Sequence, residues 1–191
     1  MLLELSVAGI SVSVVLYALM LLVVAYSVRR EPGVGKRVAR AKQSLIEKLG
    51  FAKTNVKQEV KTALLYVVAM FAVTFLIEIF FFSVGFAQDA QQVSKAVRSI
   101  DFGNVLIVIS IASFVEELFF RSYLLPRTGI LFSSFVFAYF HIIYGSLTEL
   151  VGAFFLGILL AHEFQKTGNV FTPILSHYVY NLITIIAIFL L

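Results

Sequence analysis

Apolar residues fall along this chain in six long runs, and the polar residues collect between them. The runs cover residues 5–28, 62–86, 104–125, 130–144, 147–164 and 171–191. A helix needs about 20 mainly apolar residues to cross the hydrocarbon core of a bilayer. Each run therefore predicts a membrane-spanning helix. The fourth and fifth are short and are read as two helices parted by a Tyr144-Gly145-Ser146 turn, not as one re-entrant hairpin. The expected fold is all-α: a polytopic transmembrane helical bundle of about six spans with short amphipathic helices at its surfaces. Pro126 is expected to end the third span. Thr172 and Pro173 read as the cap and first residue of the sixth. Ala90, Val93, Val97 and Ile100, three or four apart, predict a short surface helix.

Composition agrees with the pattern. Of 191 residues, 60% are apolar and 14% charged, with a mean hydropathy of +0.97; a soluble domain carries about a quarter charged residues. The start, with Glu4 and no basic residue before the first run, reads as a retained helix and not a signal peptide. The absence of cysteine excludes disulfide and thiolate chemistry. The net charge of +4 does not point to nucleic acid, because ten of the 15 basic residues lie in residues 29–61. That concentration places the stretch in the cytoplasm and both termini outside. Val38, Leu45, Ile46 and Leu49 share a helical face there, which suits an amphipathic helix on the inner leaflet or a solvated basic linker. Residues 1–103 thus hold two spans and a basic loop, residues 104–191 hold four spans, and together they make one membrane domain.

Charges inside the runs change the picture more. Glu116 and Glu117 are adjacent in the third run, and each carboxylate at mid-membrane costs roughly 3 kcal/mol on insertion scales. Arg121, four residues after Glu117, can pair with it on one face; Glu116 is turned about 100° away and has no such local offset. At about 1.5 Å per residue, Glu116 and His141 lie roughly 14 and 17 Å from the inner ends of their spans, and His177 and Asn181 roughly 9 and 15 Å. The four polar groups therefore arrive at a similar level, expected to be a cavity open to the cytoplasm. Glu116 with His141 suits proton removal from a water, and His177 with Asn181 suits donation to an oxyanion. Hydrolysis of an amide or ester follows as the reaction class. Glu78 reads as a helix–helix contact or a cavity-lining group. His162 and Glu149 read as boundary residues, and Phe80, Phe81, Phe82, Phe119 and Phe120 as lipid-facing or packing surface.

The series Glu116-Glu117-x-x-x-Arg121, Phe137-x-x-x-His141 and His177-x-x-x-Asn181 resembles the CPBP family, which includes type II CAAX prenyl endopeptidases and bacteriocin-processing or self-immunity membrane proteins. The resemblance covers residues 104–191 and implies a protease core there. It implies that Glu116 and His141 activate water, that His177 and Asn181 form the oxyanion site, and that Glu117 and Arg121 support the geometry. No cofactor is the favoured reading, with zinc held by Glu116, His141 and His177 as the alternative. The implied partners are membrane lipids and a peptide or lipidated-protein substrate, in the plasma membrane of a prokaryote. Two other classes stay open: a proton-coupled transporter using the Glu/His cluster as a relay, and a non-catalytic immunity protein. The lack of an internal repeat weighs against the transporter.

Overall fold

A computed structural model describes residues 2–30, 45–86 and 89–191. Among these residues the chain is helical and has no strand: α1 (Leu2–Arg30), α2 (Leu45–Lys48), α3 (Val56–Ser83), α4 (Asp89–Arg98), α5 (Phe102–Thr128), α6 (Ile130–Tyr144), α7 (Leu147–Thr167) and α8 (Phe171–Leu190). Helices α3, α5, α7 and α8 are long and apolar enough to cross a membrane, and α6 and residues 14–28 of α1 are shorter apolar helices. The protein is a helical membrane bundle.

Several helix ends differ from the hydropathy reading. Helix α3 starts at Val56, not at residue 62, because the Asn55 side chain caps it by accepting from the Lys57 N–H at 3.1 Å. The charges of Lys57, Glu59 and Lys61 disguise that first turn as loop. Pro126 does not end α5. The turn before it, Leu118–Leu124, widens to a π-helix in which the Leu125 N–H reaches back five residues to Phe120 O. Widening relieves the clash that proline makes with the preceding turn, and α5 ends at Gly129, whose φ of +82° few other residues adopt. Thr172 does not cap α8 either. Its hydroxyl donates to the buried Glu59 carboxylate, and Asn169 Oδ1 accepts the Phe171 N–H at 3.2 Å instead. The α6–α7 turn and the surface helix α4 form as expected, with Ser146 capping α7.

Of the expected helix in the basic stretch, Val38 lies outside the described residues. What is described there is the single turn α2, with Ile46 exposed. The segment after α2 is pinned to the bundle. Ser122 Oγ donates to Leu49 O at 2.7 Å, the Val170 N–H to Gly50 O at 2.8 Å, and Asn169 Nδ2 to Thr54 Oγ1 at 3.0 Å. These bonds place the segment at the same end of the bundle as the α7–α8 turn, with the α6–α7 turn at the opposite end.

The core lies where α1, α5, α6 and α7 meet, around Met20, Val115, Phe120, Phe137, Ala138 and Ala153. A second cluster of Val105, Ile109 and Ile185 joins α5 to α8, with Val97 and Ile100 packed against it. Phe120 is buried as packing surface, and Phe80 and Phe82 face outward. Helices α6 and α7 approach closely at Gly157, as small residues allow in membrane bundles. A Cβ there would sit 3.1 Å from Ser134 Cα and 3.3 Å from Phe137 Cδ1. Gly157→Val is expected to destabilise the protein by about 1–3 kcal/mol through overpacking, read as a lower unfolding midpoint in detergent. An unchanged midpoint would show that the two helices separate freely.

Candidate active site

The pairing of Glu117 with Arg121 forms in the interior. Both side chains are fully buried, and Arg121 Nε lies 2.8 Å from Glu117 Oε2. A third group joins from α8: His177 Nδ1 stands 2.9 Å from Glu117 Oε1. The carboxylate is held by a guanidinium on its own helix and by an imidazole on another. The Arg121 guanidinium also lies over the Phe137 ring, 4.9 Å from its centroid, a placement that favours the cation electrostatically.

One turn further along α8, Asn181 Nδ2 faces Ser113 Oγ at 3.5 Å, the far limit of a hydrogen bond. Ser113 and Glu117 are four apart on α5, as His177 and Asn181 are on α8. The two helices therefore meet along one antiparallel polar seam, with 177 opposite 117 and 181 opposite 113.

Glu116 leaves that seam and turns toward α1. It is buried, and Tyr17 donates its phenolic hydroxyl to Glu116 Oε1 at 2.8 Å. Glu116 has no local partner on α5, as expected; its offset comes from a residue 99 positions away, which had no sequence signal beyond a tyrosine inside an apolar run. Beside it is a cavity of about 20 Å³ lined by α1, α5 and α6, with Tyr17, Glu116, His141 and Tyr144 among its walls. About 10–15 Å³ of such space admits one water molecule. His141 sits in the 3₁₀ turn that ends α6, with Nδ1 2.9 Å from Phe137 O. A carbonyl only accepts, so Nδ1 carries the proton, and Nε2 of the neutral ring is left as the acceptor.

The four residues expected to form the site thus divide into two pairs on adjoining faces of α5. Glu116 and His141 line the small cavity; His177 and Asn181 line the seam and do not reach it. Phe137 packs against both imidazoles, with ring centroids 4.6 Å from His141 and 5.8 Å from His177. Among the described residues no three His, Asp or Glu side chains stand in a metal-ligating arrangement, so Glu116, His141 and His177 are not gathered as a ligand set.

Residues 98–183 match the family model of the type II CAAX prenyl endopeptidases, Rce1-like. They form an Rce1-like domain. All seven motif residues, from Glu116 to Asn181, lie within it. No curated protein and no solved structure matches the chain. The apolar helices are those of an integral membrane protein, and the matched residues are similar to the CAAX-type membrane proteases. Helices α1, α2 and α3 lie outside the matched residues, yet α1 walls the small cavity and α3 packs on α7 and α8.

A second polar group lies toward the α7–α8 turn. Glu163 is fully buried and accepts from Ser176 Oγ, and His162, although exposed, is bonded to Tyr66 through Nδ1 at 2.6 Å. Glu163 escaped notice in the sequence because a charge near a helix end usually reaches water. Glu78 is exposed on α3, beside an open pocket of about 310 Å³ walled by Phe75, Phe81, Phe82 and Phe86.

Proposed function

We propose that the chain is an intramembrane endopeptidase that hydrolyses a peptide bond of a membrane-associated substrate with a water held by Glu116 and His141. The observation that carries this reading is the one-water cavity walled by that carboxylate and that imidazole. A water there loses its proton to the pair as its oxygen attacks the scissile carbonyl, and the proton passes to the leaving amine when the tetrahedral intermediate collapses. The oxyanion is met from the seam by Asn181 Nδ2 and His177 Nε2. Because His177 Nδ1 faces Glu117, Nε2 donates only when the ring is doubly protonated, and Glu117 balances that charge. Arg121 in turn holds Glu117. Substrate binding has to bring the two pairs onto one carbonyl, so Phe137 must shift or the peptide must lie along its edge. The reading needs no metal. It also takes the pinned basic segment as the cytoplasmic side of a prokaryotic plasma membrane. The cavity walls Ile143 and Tyr144 lie toward the other end, so a cytosolic peptide would have to enter deep into the bundle.

The test is a screen of prenylated and unprenylated peptides against the protein in lipid nanodiscs, with products read by mass spectrometry before and after exhaustive chelation. Cleavage that survives chelation is expected, and the ratio of kcat/KM between the two peptide sets reports prenyl recognition. No cleavage of any peptide, together with proton flux in liposomes, would replace this reading with the relay.

A further inference from the structure

The Tyr17–Glu116 bond has no counterpart in the motif residues, and its donor lies outside the Rce1-like domain. We infer that Tyr17 is a positioning residue of the hydrolytic site: its O–H fixes Oε1 of Glu116, presents Oε2 to the water, and makes α1 a working wall of the site. The inference rests on the protease reading above.

Three observations support it. The bond is short and made inside the bundle, at 2.8 Å to a buried carboxylate. Hydrogen bonds to a charged acceptor are stronger than neutral ones, so this one restrains the carboxylate's rotation. Second, α1 touches the bundle along a narrow seam. Met20 and Val24 are buried there, but Val14, Val15, Leu19 and Leu22 face outward at 52–65% exposure. Among the described side chains of α1, Tyr17 makes a polar bond to a motif residue. Third, Leu16, Tyr17 and Met20, one face of α1, supply three of the eight residues around the one-water cavity. Without α1 the cavity would be an open flank of α5 and α6, with the carboxylate facing lipid.

A general base must offer a lone pair to the water in a fixed direction, and small misplacements are costly in rate. With Oε1 occupied by the phenol, the proton taken from water goes to Oε2, and the Tyr17 bond persists to the carbonyl-like Oε1 of the resulting acid. Tyr17 therefore stays bonded through the cycle and neither gains nor loses a proton.

The test is Tyr17→Phe in the full chain in nanodiscs, which removes only the hydroxyl and keeps the ring against Met20. The expected result is a fall in kcat on the order of 10- to 100-fold with KM unchanged, the scale of one lost hydrogen bond to a charged group. The second readout is infrared. The carboxyl band of Glu116, assigned by its loss in Glu116→Gln, should shift in Tyr17→Phe. Wild-type kcat, or a reduced kcat with the band unmoved, overturns the proposal, the latter because the ring would then act by packing alone. An inactive wild type overturns the protease reading by itself, and the band still decides whether Tyr17 holds Glu116.

Discussion

Glu116→Gln abolishes peptide cleavage and leaves the bundle folded: this is the expected result, with a loss of about 10²–10⁴-fold, the range that general-base catalysis contributes. The substitution nearly preserves shape. The amide oxygen still accepts from Tyr17, so α1 keeps its seat on α5. What disappears is the basic lone pair that takes the proton from water. A neutral amide is also easier to bury than a carboxylate, so the unfolding midpoint in detergent should hold or rise. Cleavage by mass spectrometry and thermal unfolding on the same preparation separate the two effects. A fully active variant would remove Glu116 from the mechanism, and an unfolded one would show that its charge is structural.

Arg121→Met carries the largest expected effect on stability. Arg121 and Glu117 are both fully buried and in contact at 2.8 Å. Removing one partner of a buried ion pair costs about 3–5 kcal/mol, because the other charge is left in a medium that solvates it poorly. His177 stays on Glu117 and shares the charge, so the lower half of that range is expected. The double variant Arg121→Met with Glu117→Gln should recover most of the loss, since a neutral pair of similar volume has no charge to strand. It should not recover activity, because His177 then lacks the carboxylate that orients it. Equilibrium unfolding in detergent reads both variants. A single variant within about 1 kcal/mol of wild type would show that water reaches Glu117 and that the pair is not dry.

Two residues explain how far the sequence could be read here. For Glu117, helical phase was enough: a partner four residues on must share its face, and Arg121 does. For Glu116 phase said only that it points elsewhere. Its partner Tyr17 comes from a helix that, by composition, shows lipid and protein the same apolar surface. In soluble proteins a polar face marks the outside of a helix. In a bilayer, lipid tails are as apolar as a packed core, so the pattern does not say which way α1 is rotated. The same ambiguity hid the bond between Glu163 and Ser176 and the use of Thr172 by Glu59 in place of a cap.

By itself the sequence determined the class of fold, the approximate spans, the end of the bundle that carries the basic segment, the i,i+4 pairs and the motif series of the Rce1-like domain. All of these are properties of hydropathy and helical period, which are local. Only the tertiary structure decided that His177 bonds Glu117, that Phe137 packs against both imidazoles, that the turn before Pro126 widens so α5 runs on to Gly129, and that α1 closes the cavity over Glu116. Those depend on the rotation and depth of each helix against its neighbours. Both are set by side-chain packing at points such as Gly157 and Phe137, which no periodicity along a single helix encodes.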